Sequence, residues 1–282
     1  MYLADYHVHP GYSMDAEPCS IEQYCQRAVE LGLQEICFTT HFECDPRRKH
    51  IDWLVRLNGR YHPMDRWSWI DHYLHDIERA KGIFKSAGLK VKAGLEVGYD
   101  VGLEAVIEEL VTNYPWDFIL GSVHCLNHIA ISSGRESPFY FRGRTAKQVC
   151  LDYYKILQEA VSTGFFDCVG HLDIYRRHGL DYLGEEINQA ELEHAERIFK
   201  QISRQGMGLE INTSGRRKGQ DFFPSGRLLK LAKECGITIF TMGSDAHRIS
   251  ELGQGLVQAT ELLHTHGLCL HSFEKRIPTA VK

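Results

Sequence analysis

Ile237–His247 reads I-T-I-F-T-M-G-S-D-A-H, an apolar, β-branched run that opens after Gly236 and ends on a carboxylate and an imidazole. Such a run fits a strand buried on both faces, the kind found inside a parallel sheet. Six earlier stretches repeat the design: Leu3–His9 (L-A-D-Y-H-V-H), Glu35–His41 (E-I-C-F-T-T-H), Val91–Glu96 (V-K-A-G-L-E), Phe118–His124 (F-I-L-G-S-V-H), Phe166–His171 (F-D-C-V-G-H) and Gly208–Asn212 (G-L-E-I-N). Nearly every one ends on a histidine or a carboxylate. Amphipathic stretches of helical period lie between them, and this β-α alternation calls for parallel strands joined by right-handed crossovers. Ligands at the same end of successive parallel strands converge in space. A closed α/β barrel is favoured over an open sheet, because an open sheet would gather its ligands at one switch point.

The helices have recognisable ends. Ser20 caps Ile21–Leu31 and Gly32 stops it. Ser68–Ala87 ends at Gly88, and Gly102–Thr112, Ala146–Ser162, Asn188–Gln205, Ser225–Cys235 and Ser250–His264 supply five more. Two connections exceed the usual few residues. Loop 42–67 follows the second strand, and loop 125–145 follows the fourth. Both leave from ligand-bearing strand ends, where substrate selection usually resides. With no linker or repeat, residues 1–282 read as a single barrel domain.

At 282 residues and 43% hydrophobic, the chain can bury a sizeable core. Its net charge of −5 argues against a general nucleic-acid binder, which would show a basic face. The nine cysteines form no C-x-x-C pair and several lie in apolar runs, which suits free thiols in a reducing compartment. Asp5, His7 and His9 already stand in the first ten residues, unlike a signal peptide. No apolar stretch reaches the ~18–20 residues of a membrane span. The expectation is a cytoplasmic protein acting on a small molecule, with neither nucleic acid nor membrane as partner; its oligomeric state is not legible.

His7 and His9, two apart on a strand, point to one face. Alone, such a pair could equally be core histidines satisfied by hydrogen bonds. Company decides: His41, Glu96, His124, His171, Asp245 and His247 sit at equivalent strand ends. Buried carboxylates such as Glu96 in G-L-E-V-G and Asp245 in M-G-S-D-A-H are costly unless paired or metal-bound. Imidazoles with a bridging carboxylate suit zinc, iron or manganese rather than calcium.

In combination, D-Y-H-V-H, F-T-T-H, G-L-E-V-G, G-S-V-H, V-G-H-L-D and G-S-D-A-H resemble the motifs of the polymerase and histidinol phosphatase (PHP) superfamily. The resemblance spans essentially the whole chain. It implies a distorted, TIM-like (β/α)7 barrel with two to three divalent transition-metal ions. By motif, one metal would take His7, His9, Glu96 and Asp245; a second would share Glu96 and add His124 and His171; a third would take Asp15, His41 and His247. Within the superfamily the chain is most similar to the histidinol-phosphate phosphatases, through H-x-H-x-x-x-S-x-D-A, H-L-D-I-Y-R-R and E-I-N-T-S-G-R-R-K. One departure is T-T-H-F-E, where Thr40 replaces a more usual carboxylate.

Two metals ~3.5–4 Å apart acidify a bridging water and clamp an in-line displacement. The implied activity is therefore a metal-dependent phosphomonoesterase, hydrolysing L-histidinol phosphate to L-histidinol and phosphate in histidine biosynthesis by attack of a metal-bridging hydroxide. Glu96, Asp245 and His247 are its catalytic candidates. Arginine forks match phosphate oxygens, and Arg176 and Arg217 are the candidates by position. Glu210 and Asn212 face the barrel mouth by alternation and either contact a substrate amine or orient a ligand. The alternative is another PHP phosphatase or phosphodiesterase acting on nucleotides or other phosphoesters, for which Arg47, Arg48 and Lys49 are a hint. A non-catalytic metal-binding barrel would have lost ligands.

Overall fold

The computed structural model describes residues 1–189 and 192–281. Its main sheet has seven strands in sequence order: β1 (Ala4–Val8), β2 (Glu35–Phe42), β3 (Lys90–Gly98), β4 (Phe118–Ser122), β5 (Cys168–Val169), β6 (Gly208–Asn212) and β7 (Phe240–Gly243). Every neighbouring pair is parallel. The sheet curls until its edges meet: Val8 bridges Ala246, with His9 N donating to the Ala246 carbonyl at 2.9 Å and Ala246 N to the His7 carbonyl at 3.3 Å. The result is a nearly closed (β/α)7 barrel. The β2–β3 register runs from Glu35 opposite Lys90 to Phe42 opposite Val97 and sets His41 beside Glu96.

Seven helices surround the sheet: α1 (Ile21–Glu30), α2 (Ser68–Phe84), α3 (Glu104–Asn113), α4 (Ala146–Thr163), α5 (Leu192–Gln205), α6 (Gly226–Glu234) and α7 (Leu256–Thr265). Ser20 and Gln23 form a reciprocal capping box at α1, and Thr145 and Gln148 do so at α4. Each apolar face covers the sheet, so Tyr24, Ile77, Ile107, Leu157 and Leu228 are buried against strand residues such as Phe38, Leu95, Leu120 and Ile211. Burial of a side chain of this size contributes ~1.5–3 kcal/mol.

Several boundaries differ from expectation. The expected helix Ser250–His264 is entered instead by a 3-10 turn, Ile249–Glu251, and α7 begins only at Leu256. Gly253 and Gly255 both take left-handed φ there, 73° and 80°, which breaks the helix. Positions 190 and 191 of the expected Asn188–Gln205 helix lie outside the described residues. The fifth and seventh strands pair over only two and four residues, because their ligand-bearing ends bend into the mouth. Unforeseen elements are the hairpins Leu54–Leu57/Arg60–Pro63 and His271–Glu274/Ile277–Ala280 and the helix Arg176–Leu183.

The C-terminal hairpin closes the end of the barrel opposite the ligands. It reaches the starts of the strands: Asp117 accepts from Lys275 N at 3.2 Å, Asp167 pairs with Arg276 at 3.1 Å, and Ser272 donates to Glu35 at 2.9 Å. Among the described residues, no helix is long and apolar enough to cross a membrane.

Candidate metal centre

All nine expected ligands meet at the mouth. Glu96, the seventh residue of β3, is buried completely and lies at the middle. Its Oε1 stands 3.0 Å from His124 Nε2 and 2.8 Å from His171 Nε2. Its Oε2 stands 3.2 Å from His7 Nε2, 3.4 Å from His9 Nε2 and 2.9 Å from His41 Nδ1. Each oxygen thus faces a different imidazole group, as a bridging ligand requires. Asp245 Oδ1 closes the His7–His9 side at 3.6 Å from both Nε2 atoms. Asp15 lies on an exposed turn, yet its Oδ2 reaches His247 at 3.2 Å and His41 at 3.6 Å.

Buried polar atoms left without a hydrogen-bond partner test whether metal ions fit. His7 Nε2, His9 Nε2, His41 Nδ1 and Glu96 Oε2 are such atoms, and they converge. Buried polar groups are ordinarily satisfied, so four orphans aimed at one spot suit a cation. Three-residue sets with donor atoms within 4.8 Å of one another include His7/Glu96/His171, His7/His9/Asp245 and His9/His41/His247. The donors fit the expected metals.

The charges answer one another in the metal-free protein. Burial raises the Glu96 carboxyl, but His7, His124 and His41 outweigh it and hold Glu96 well below the usual range. Burial lowers His7, and Glu210, Glu96 and Asp245 outweigh it, holding the imidazole well above its ordinary value. His124 is pushed up to about 10 by Glu96 and Glu43 against its burial. His9 is held well below, by burial and by neighbouring His41 and His247.

The ligands are held by a layer of side chains that sequence reasoning placed only in part. Glu210, buried, accepts from His7 Nδ1 at 2.6 Å and from His171 N at 2.7 Å. Asn212 donates to Glu210 at 3.1 Å and accepts from Ser214 Oγ at 2.6 Å. Neither lines the cavity; of the two expected roles, their contacts suit orienting a ligand, with Glu210 held to His7 Nδ1 and the His171 amide and Asn212 held to Glu210. Gly243 is needed beside them, since a Cβ would lie 2.3 Å from Glu210 Oε1. Ser122 Oγ donates to Glu96 Oε1 at 2.7 Å, and Ser13 Oγ lies 3.3 Å from His9 Nδ1. Glu43, three residues beyond Thr40, contacts His124 Nδ1 at 2.6 Å.

The two expected arginines stand outside the cavity, and a third lines it. Arg176 is buried and committed to Asp173 at 2.7 Å, to the Asn188 side chain at 2.9 Å and to the Phe222 carbonyl at 3.3 Å. Arg217 donates to the carbonyls of Ser244 and Asp245 at 2.6 and 2.9 Å and stands outside the main cavity. Asp245 has φ of +55°, a conformation that costs ~1–3 kcal/mol for a residue with a side chain; Arg217 braces that turn. The arginine at the centre is Arg177, whose Nη2 bonds Asp245 Oδ2 at 2.9 Å and Ser214 Oγ at 2.6 Å and which lines the cavity. The cavity, about 400 Å³, has the metal ligands as its floor and parts of both long loops as its wall. That volume falls in the ~300–1,000 Å³ range of small-molecule sites.

A nearly closed (β/α)7 barrel whose strand ends carry a shared carboxylate between imidazole groups defines a class of metal-binding barrels. The PHP domain model matches residues 5–214, and the chain belongs to that family. Curated relatives include a histidinol-phosphatase of Lactococcus lactis, 30% identical over 257 residues, covering 88% of this chain and 85% of that one. A probable histidinol-phosphatase of Deinococcus radiodurans is 29% identical over 270 residues, with 94% of each chain covered. Among solved structures, the L. lactis histidinol phosphate phosphatase, crystallised with zinc, L-histidinol and phosphate, superposes with a TM-score of 0.81 over 98% of both chains at 24% identity.

Proposed function

We propose that this chain is a metal-dependent phosphoric monoester hydrolase that converts L-histidinol phosphate to L-histidinol and phosphate, a step of histidine biosynthesis. The observation that carries the reading is Glu96, whose two carboxylate oxygens face separate imidazole groups. The relatives' names and the ligands of the L. lactis structure support the substrate. We take the whole chain, 1–282, as the working domain. Its nine free cysteines, six of them buried, suit the reducing cytoplasm.

Two to three divalent ions would be held here, zinc foremost, with iron and manganese as alternatives that the same donors accept. His7, His9, Glu96 and Asp245 would hold one, Glu96, His124 and His171 the second, and Asp15, His41 and His247 the third. Bound ions of this kind supply Lewis acidity and an activated water for attack at phosphorus. The chain's own residues do the rest. Glu210 and Glu43 keep His7 and His124 in the tautomers that present Nε2 to the centre. Arg177 binds phosphate oxygens, with Asp245 keeping its guanidinium oriented.

The test is phosphate release by metal-loaded enzyme from a panel of histidinol phosphate, sugar phosphates, nucleoside monophosphates and a phosphodiester. Histidinol phosphate should show the highest kcat/KM. A preferred nucleotide or diester would overturn the substrate, and loss of metal without loss of activity would overturn the chemistry.

A further inference from the structure

The metal centre and Arg177 account for the phosphate end of the cavity, while the wall built by the two long loops carries charges that this chemistry does not use. Arg48, buried, forks onto Glu136 at 2.8 and 2.9 Å, and Glu136 also accepts from Ala130 N at 3.2 Å. Asp52 is a further claimant on the same guanidinium: Nε at 2.6 Å and Nη2 at 2.5 Å both fall on its Oδ2. One guanidinium therefore serves two carboxylates. Burial and the charge of Glu43 push the Asp52 carboxyl up to about 6, more than Arg48 draws it down. Arg135 stands at the same rim and acts on Glu136. Ile51, Met64 and Ala130 give this stretch of wall its apolar surface.

We infer that Asp52 is the seat of a cationic group at the non-phosphate end of the substrate, with the apolar wall beside it taking the carbon frame. Both Arg48 contacts fall on Asp52 Oδ2, so an entering ammonium or imidazolium meets the other carboxylate oxygen, Oδ1. Dianion and cation would then be read in one cavity, by the metal floor with Arg177 and by Asp52. This deepens the phosphomonoester reading and rests on it.

Parent, Asp52→Asn and Asp52→Glu are assayed with histidinol phosphate and with glycerol 3-phosphate, a monoester without a cation. The readout is the ratio of the two kcat/KM values, in which any loss of folded or metal-loaded protein cancels. A charge-assisted hydrogen bond corresponds to about tenfold or more in affinity. The ratio should fall by about that factor in Asp52→Asn, through the KM for histidinol phosphate, and should stay near the parent's in Asp52→Glu. An unchanged ratio in Asp52→Asn, from a parent that prefers histidinol phosphate, overturns the subsite and leaves the substrate standing. A parent without that preference overturns the substrate reading, and the subsite with it.

Discussion

Glu210→Gln isolates the support of the ligands from the ligands themselves. Glu210 accepts from three donors, His7 Nδ1, His171 N and Asn212 Nδ2, at 2.6, 2.7 and 3.1 Å, and is 1% exposed. Glutamine keeps the shape but has one oxygen and an amide that donates. At least one of the two oxygens' partners then faces a donor. The bond most exposed to loss is the one that holds Nδ1–H of His7 and so aims Nε2 at Glu96. A hydrogen bond to a charged group contributes about 1.5–3 kcal/mol, which is about tenfold to two-hundredfold in a binding constant. Replacing an outer partner of a metal-binding histidine costs about 10–100-fold in metal affinity or activity, the same range. The assay is competition for zinc against a chromophoric chelator, alongside kcat at saturating metal. Zinc affinity should drop by about that range while kcat recovers in part when metal is in excess. Affinity within twofold of the parent would refute the role given to Glu210.

Glu96→Ala should abolish turnover with the fold retained by circular dichroism, since it removes the residue that both imidazole groups share; near-normal kcat would end the two-metal scheme. Arg177→Ala should lower kcat/KM about tenfold to a hundredfold at unchanged metal content. Arg176→Ala should act on stability instead, because it strips the charged partner from buried Asp173, a loss of ~3–5 kcal/mol in denaturant melts; equal kinetic effects of the two would contradict the role proposed for Arg177. Metal binding should release protons. His124, pushed up to about 10, carries a proton at pH 8 that ligation must expel, and His7, His41 and His247, also held above their ordinary values, bias the release the same way. His9, held below, contributes none. Zinc addition in weak buffer with an indicator dye reads this directly, and an unchanged pH would refute the charge arrangement.

The barrel and its ligands were legible because both are periodic. Strand runs ending in His or a carboxylate recur, and the β2–β3 register places His41 beside Glu96 as that pattern implies. Depth and phase were harder to read. Alternation turns Glu210 inward, yet only the packing shows that its oxygens are taken by His7, the His171 amide and Asn212. The doublet Arg176–Arg177 begins a helix, and successive helical residues diverge by about 100°, so one side chain points into the core and its neighbour at Asp245. Nothing in the sequence sets that phase. Glu43 was hidden because its partner His124 is 81 residues away. Asp15 was placed correctly only through the family motif, since its turn is exposed.

The seam of the barrel, where Val8 meets Ala246, has a consequence for biosynthesis. His7 and His9 are synthesised well over two hundred residues before Asp245 and His247. Asp5 waits for the backbone of Ser244 across 239 positions, and His41 for His247 across 206. Closure of so long a loop precedes any reward from its contacts. A nascent chain cut short before residue 245 has Glu96 and the earlier imidazoles but lacks Asp245 and His247, which stand beside His7, His9 and Asp15 in the folded barrel. On the proposed ligand set, a complete cage therefore awaits the far side of the seam.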